Sequence, residues 1–136
     1  MKLTAKIFLE DRSRYVLGPG RIELLKTTEA LGSLHKAAQA LGMSYRWAWG
    51  RVRDSEKELG FKLLVSQPGG GGGRGTPKVL SPEGRALLRW YEEAERIVAV
   101  CLGEALAALP ADLKDKLAAG SPEPDEPGPK PRLCLD

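Results

Sequence analysis

The sequence contains few of the residues on which catalytic and metal sites usually depend. It has two cysteines and one histidine among 136 residues. Cys101 lies in a helical pattern and Cys134 in a proline-rich stretch, and no CxxC spacing indicates a zinc site or a disulfide framework. His35 has no nucleophile or orienting partner that the sequence can assign, and a catalytic base needs both. We therefore expect a protein that is not an enzyme and holds no metal or cofactor.

Long apolar runs are also absent. The longest uncharged apolar stretch, IVAVCLG at 97–103, is far shorter than the roughly 20 residues that a helix needs to cross a bilayer. No signal-peptide pattern opens the chain. We expect a cytoplasmic protein without a membrane partner.

Positive charge is concentrated in the part of the chain that is predicted to fold. Residues 1–109 carry 17 lysines and arginines against 12 acidic residues, whereas residues 110–136 carry 4 against 6. Within residues 33–89 the balance is 10 against 4. This excess suits a polyanionic partner better than an acidic small molecule.

The spacing of apolar residues predicts an α+β fold that is mostly helical. Alternation in KLTAKIFLE, residues 2–10, predicts a strand, and a return strand over 15–17 completes an N-terminal β-hairpin. Helical spacing follows from Pro19 to Gly32, and again over 34–41 with Ser33 as N-cap. Only GMS separates this short helix from a third helix over 44–59, for which Ser44 is the N-cap. The two helices therefore predict a helix-turn-helix.

A glycine run lies between two short apolar stretches. FKLLVS and PKVL predict antiparallel strands on either side of Gly69 to Gly73, which gives a β-wing over 61–80. A phosphate-binding P-loop requires Lys and Ser or Thr after its second glycine, but Thr76 and Pro77 occupy those positions. We interpret the glycines as the tip of the wing.

A long helix is predicted over 82–109, after Ser81 as N-cap and Pro82 at the first helical position. Its apolar residues follow a heptad pattern with a second stripe beside it, and one small domain cannot cover both stripes. We expect a homodimer, and the alternative is a shorter helix that packs only on its own domain. The predicted dimer interface consists of Leu87, Tyr91, Ala94, Val98, Cys101, Leu102, Ala105 and Leu106.

These elements divide the chain into three parts. Residues 1–109 are predicted to form a winged helix-turn-helix domain that includes the dimerisation helix. Residues 110–120 are expected to hold a short helix. Residues 121–136 are rich in proline and predict a mobile tail.

The third helix supplies the main candidates for contact with double-stranded DNA. If it enters a major groove, Arg46 and Arg51 have the guanidinium geometry that reads guanine, and Gly50 permits close approach to a surface. Trp49 fits interhelix packing better than base contact. The predicted DNA-binding residues are Ser33, Lys36, Ser44, Tyr45, Arg46, Trp47, Gly50, Arg51, Arg53, Arg74 and Lys78.

One combination of motifs resembles a known family. GSLHKAAQALGMSYRWAW at 32–49, followed after about twenty residues by GGGGGRGTPKVLSPEGRALLRWY, resembles the N-terminal DNA-binding domain of the molybdate-responsive ModE regulators. That domain is a winged helix-turn-helix related to the LysR type, and the resemblance covers roughly residues 3–100. It implies that Ser44, Tyr45 and Arg46 begin the recognition helix and that two copies join through their terminal helices.

The resemblance stops where full-length ModE regulators continue into β-rich domains that bind molybdate. A proline-rich stretch stands there in this chain, so the resemblance implies a single-domain form, and molybdate sensing is not carried over. We predict a dimeric DNA-binding transcriptional regulator. The alternative is a metal-homeostasis protein that binds molybdate, another oxyanion or another protein and uses the winged helix as a scaffold.

Overall fold

The computed structural model describes residues 1–69 and 76–120. The predicted wing tip over residues 70–75, with Arg74, and the predicted tail at 121–136 lie outside the described residues. The elements in chain order are β1 (Leu9–Asp11), β2 (Arg14–Leu17), α1 (Pro19–Leu31), α2 (Leu34–Ala40), α3 (Tyr45–Leu59), β3 (Leu64–Ser66), β4 (Lys78–Leu80), α4 (Pro82–Ala107) and α5 (Ala111–Ala119). The expected α+β, mostly helical winged helix-turn-helix is confirmed.

Each of the two sheets is an antiparallel pair of strands. β1 pairs with β2 and forms the predicted N-terminal hairpin, and its turn residues Arg12 and Ser13 both have positive φ, as in a type I′ turn. The first strand is shorter than predicted, because it starts at Leu9 rather than near residue 2. Its partner β2 is only 4 residues long, so residues 2–8 have no strand beside them in the described chain.

β3 pairs with β4 from Leu64 opposite Leu80 to Ser66 opposite Lys78 and forms the base of the predicted wing. Gln67 N–H donates to the Pro77 carbonyl and extends the pairing toward the tip. The wing therefore leaves the core as an antiparallel ribbon directly after α3.

Serine caps set the beginnings of α2, α3 and α4. Ser33 Oγ accepts the Lys36 N–H, Ser44 Oγ accepts the Trp47 N–H, and Ser81 Oγ accepts the Gly84 N–H. Each bond satisfies a backbone donor that has no partner inside its helix. All three caps were predicted, because capping depends on residues next to one another in the sequence.

A single apolar core lies between α1, α2, α3, the wing base and the first turns of α4. Ala37, Ala38 and Ala48 are all buried where α2 and α3 meet. Their small side chains let the two helices of the helix-turn-helix cross closely.

The start of α4 is joined tightly to the base of the wing. A Cβ on Gly84 would lie 2.5 Å from the Leu63 carbonyl oxygen, so a larger residue there would collide with the backbone. Ser81 N–H donates to the same carbonyl, and Ser81 Oγ donates to the Lys62 carbonyl. These contacts fix the direction in which α4 leaves the domain. None of the described helices is long and apolar enough to cross a membrane.

Candidate nucleic-acid interface

α3 buries one side and presents the opposite side to solvent. Ala48, Val52, Ser55 and Glu56 are buried. The opposite side carries a row at helical spacing, called here the outward row, which consists of Arg46, Gly50, Arg53 and Lys57. Its three charged members are all basic and exposed.

Gly50 lies in the middle of this row and leaves the helix backbone bare. A Cβ at this position would meet nothing within 4 Å in the described chain. A glycine inside a helix costs about 1 kcal/mol relative to alanine, and no neighbour in the described chain requires its small size. Packing among the described residues therefore does not explain the glycine, and close approach of a partner to the helix would explain it.

Arg51, which was predicted to contact a base, has two partners on α3 itself. Its guanidinium carbon lies 4.3 Å from the centre of the Trp47 ring, and Nη2 lies 3.2 Å from Oδ2 of Asp54. Arg46, by contrast, is exposed on the outward row. Arg51 would have to leave both neighbours to read a guanine, so Arg46 is the better placed of the two arginines.

The remaining predicted residues of the helix-turn-helix lie around the N-termini of α2 and α3. Ser44 and Tyr45 are exposed, and the Tyr45 ring lies 5.9 Å from the ring of His35. Lys36 is also exposed. Ser33, in contrast, is buried and accepts a hydrogen bond from the Lys36 N–H. Its role is to cap α2, and it has little surface left for a ligand.

Lys78 connects the wing to α3. Its ammonium nitrogen lies 5.4 Å from the centre of the Trp49 ring and donates to Ser66 Oγ at 3.1 Å. Trp49 is half-buried and packs against the core, as the sequence indicated. The lysine therefore lies between the wing and α3. The predicted contact Arg74 lies outside the described residues.

A buried polar network, which the sequence did not predict, fixes the inner side of α3. Arg21 of α1 donates from Nη1 to the Val16 carbonyl at 3.0 Å and to Ser55 Oγ at 2.9 Å. Ser55 Oγ donates to the same carbonyl at 2.5 Å, and Arg21 stacks on the Tyr15 ring. Burial lowers the pKa of Arg21, and the nearby Tyr15 hydroxyl acts in the opposite direction. The hairpin, α1 and α3 are thereby locked together.

Glu56 joins the second half of α3 to the wing. This carboxylate is buried, and its Oε2 accepts the N–H groups of Leu63 at 2.7 Å and Leu64 at 3.3 Å. The same short segment accepts hydrogen bonds from Ser81 at the start of α4. Residues 62–64 therefore connect α3, the wing base and α4.

The outer side of α4 differs from the predicted dimer interface. Tyr91 is 2% exposed, and its hydroxyl donates to the Ile7 carbonyl at 2.6 Å. Burial is the main cause that raises the pKa of Tyr91, and Glu95 adds to it. This residue belongs to the core of its own chain and has almost no surface to offer a partner. Of the other predicted residues, Cys101 and Ala105 are exposed, and Leu87, Ala94, Val98, Leu102 and Leu106 are half-buried.

Three large apolar side chains on α4 lie outside the predicted interface and are exposed. Trp90, Ile97 and Val100 are 50%, 51% and 52% exposed. With the exposed Cys101 they form what we call the outer stripe of α4. Their helical spacing was visible in the sequence. Which side of α4 faces the core depends on Leu88, which is fully buried, so the opposite side is exposed.

Two of the residues considered for chemistry can be placed in the structure. No group of three or more His, Cys, Asp or Glu residues among residues 1–69 and 76–120 could hold a metal ion. His35 is exposed, and its ring lies near that of Tyr45.

Comparison with known proteins identifies the domain type. Residues 20–85 match the family described as "Bacterial regulatory helix-turn-helix protein, lysR family". The chain is 32% identical over 102 residues to the molybdenum-pterin-binding protein MopB of Rhodobacter capsulatus. It is 32% identical over 92 residues to the transcriptional regulator ModE of Yersinia pestis, and 33% identical over 92 residues to the DNA-binding transcriptional dual regulator ModE of Escherichia coli K12.

These matches cover most of this chain but only part of each relative. They include 75% of the chain and 37% of MopB, and 68% of the chain with 34% and 31% of the two ModE proteins. The chain thus spans about a third of the length of these relatives. The crystal structure of ArgP from Mycobacterium tuberculosis is similar over 64% of the chain, with 23% identity and a TM-score of 0.45.

Proposed function

We propose that this chain, which carries the N-terminal helix-turn-helix domain of the ModE family, is a dimeric DNA-binding transcriptional regulator. In this proposal α3 lies in the major groove, and the wing contacts the adjoining backbone or minor groove. The relatives named above are regulators and molybdenum-related binding proteins rather than enzymes, which supports a function in binding.

The observation that carries the proposal is the outward row of α3. Three exposed cations flank a glycine whose missing side chain meets nothing inside the described chain. Basic side chains on the exposed face of a helix neutralise phosphates and read base edges. A bare backbone between them allows the helix axis to come closer to the floor of a groove.

The buried side of α3 supports the same function. A helix that reads bases must be presented in one orientation, since loose groups lose affinity through ordering on binding. Arg21 and Ser55 hold α3 to the hairpin, and Glu56 holds it to the wing. The two DNA-contacting elements are thus held relative to each other before DNA arrives.

The outer stripe of α4 supports the dimer. Exposed apolar side chains along one side of a long helix indicate a surface that another protein surface covers. A second copy that docks by a two-fold axis would place two copies of α3 on successive major grooves, which are about 34 Å apart. Operators would then be imperfect palindromes. As a regulator of transcription, the protein would act in the cytoplasm.

The test is selection of bound fragments from the native genome, followed by affinity measurements at several salt concentrations. We expect one set of related fragments, and an affinity that falls by roughly one log unit per log salt for each phosphate contact. No enrichment, or binding that ignores salt, would contradict the proposal.

A second candidate function is oxyanion binding, and one finding favours it. The relative MopB is described as a molybdenum-pterin-binding protein. Calorimetry with molybdate and tungstate on DNA-free protein separates the two functions. Saturable heat at a fixed stoichiometry would support an oxyanion site, and its absence would leave DNA binding as the function.

A further inference from the structure

An exposed indole stands beside the outward row of α3. Trp47 is the third residue of this helix and is 41% exposed. Its backbone N–H is fixed by the Ser44 cap at 3.1 Å. Trp47 is not among the buried residues of the core. Its exposed surface is therefore available to a ligand of the helix, and an indole offers a large apolar contact area together with one polar group.

The indole is held in place by charged neighbours. The guanidinium of Arg51, one turn further along, lies over the ring at 4.3 Å. Asp54, three residues later, holds that guanidinium through an ion pair of 3.2 Å. Arg51 thus covers one face of the indole and restricts its rotation, and the rest of the ring stays exposed. A side chain fixed before binding loses less entropy when it makes a contact.

Gly50 leaves space next to this ring. Residues three apart on a helix are neighbours on its surface, and a Cβ on Gly50 would meet nothing within 4 Å. Gly50 therefore leaves open space on the helix surface beside Trp47 in the described chain. A small group that projects from a ligand can enter this space and approach the exposed part of the indole.

The chemistry of the major groove supplies one apolar group of this kind. Base edges there present hydrogen-bond donors and acceptors, except for the C5 methyl group of thymine. The indole has a single N–H donor and no acceptor, so most of its exposed surface is suited to an apolar contact. We propose that Trp47, held by Arg51 and Asp54, reads the C5 methyl of one thymine in each half-site. This inference rests on the proposed function, in which α3 enters the major groove.

The test replaces the thymines of a selected genomic fragment one at a time by deoxyuridine, which removes only the methyl group. With the wild-type protein we expect one position in each half-site at which affinity falls about three- to fivefold, the value of burying one methyl-sized group. With Trp47→Gln, binding should be weaker overall, and uracil and thymine should be equivalent at that position. Trp47→Phe should recover part of the discrimination, because it restores an aromatic surface.

Two further variants separate reading from support. Arg51→Gln should reduce the discrimination without abolishing it, since the indole remains but is held less firmly. Lys57→Gln is the matched control on the outward row, and it should weaken binding while leaving the uracil effect unchanged. Melting temperatures of all four variants establish that each one folds.

Two results would overturn the inference. One is wild-type protein that tolerates uracil at each thymine, or a selected site without thymine in its half-sites. The other is an equal uracil effect in wild type and in both Trp47 variants, which would place the methyl contact elsewhere. In either case specific DNA binding would still stand, whereas the absence of specific fragments would remove the proposed function as well.

Discussion

Helices α3 and α4 both begin at a serine cap and both bury one side in the same core, but they expose different chemistry. The outward row of α3 contains Arg46, Gly50, Arg53 and Lys57, whereas the outer stripe of α4 contains Trp90, Ile97, Val100 and Cys101. α3 buries Ala48, Val52, Ser55 and Glu56, and α4 buries Gly84, Leu88 and Tyr91. The exposed residues lie outside this core, so the difference in their chemistry is not dictated by packing. It indicates two surfaces of different use, one suited to a polyanion and the other to a protein.

The two helices are also connected through one short segment. Glu56 of α3 accepts from the backbone of Leu63 and Leu64, and Ser81 at the start of α4 bonds to Lys62 and Leu63. Because both helices bond to this segment, a shift of its backbone would displace α3 and α4 together. In the proposed dimer, the spacing of the two α3 helices therefore depends on the direction of α4.

The largest expected effect comes from placing charge on the outer stripe. Ile97→Glu combined with Val100→Glu should give a monomer by sedimentation. DNA affinity should fall about a hundredfold or more, because linked binding of two sites is lost. The substituted residues are half exposed, so the monomer should remain folded. A stable dimer with unchanged affinity would move the interface away from this stripe.

On α3 the largest single effect is expected for Arg46→Ala. Loss of a bidentate contact to a guanine should cost about 1–3 kcal/mol of binding and relax one base preference in a renewed selection. Lys116→Ala on α5 is a matched control, since it removes an equally exposed cation far along the chain. Equal losses in the two variants would show that only total charge matters.

The link between the helices can be loosened at Glu56. Glu56→Ala leaves the Leu63 and Leu64 N–H groups without their acceptor, and it should cost about 1–3 kcal/mol of folding free energy. Glu56→Gln keeps an acceptor oxygen and should cost less. Chemical denaturation measures both values, and the reverse order of the two variants would contradict the assigned hydrogen bonds.

Gly50→Ala should separate folding from binding. The added methyl meets nothing within 4 Å, so stability should rise by about 0.5–1 kcal/mol, while DNA affinity should fall. Gly103→Ala in α4 is the matched control, because that position is equally open. It should give a similar gain in stability and no loss of DNA affinity. A Gly50→Ala variant with unchanged affinity would show that the bare backbone is not a contact.

The smallest effect on DNA binding is expected at Tyr91. Tyr91→Phe removes the hydrogen bond to the Ile7 carbonyl, and it should cost about 0.5–1.5 kcal/mol of stability without changing the dimer. Burial raises the pKa of Tyr91 in the folded state. The stability that the neutral hydroxyl contributes is therefore fully present below the ordinary pKa of tyrosine, and it is lost as the pH rises through the pKa of the folded state. Thermal melting above pH 9 should show this loss in wild type and less of it in Tyr91→Phe. A change in the oligomeric state of Tyr91→Phe would show that Tyr91 contributes to the dimer interface.

Features that depend on neighbouring residues could be predicted from the sequence. The caps at Ser33, Ser44 and Ser81 and the ribbon that flanks the glycine run follow from local patterns, and the structure has them. The helix-turn-helix follows from two helical patterns with few residues between them. These features position most of the candidate interface.

Features that depend on distant residues could not be predicted. Arg21 and Ser55 are 34 residues apart, and the side of α4 that packs inward is set where Gly84 approaches Leu63. An amphipathic helix with two apolar stripes does not reveal which stripe its own domain covers, so the sequence did not indicate that Tyr91 is buried and Ile97 exposed. Ser33 is a related case, because the cap was predicted but its burial was not.

Methylation protection of guanine N7 on a selected fragment shows whether the outward row of α3 lies in the major groove. N7 faces the major groove, so we expect two protected regions a whole number of helical turns apart. At least one protected guanine should become reactive again with Arg46→Ala. Protection confined to adenine N3 in the minor groove, or guanines that react equally with and without bound protein, would contradict the claim.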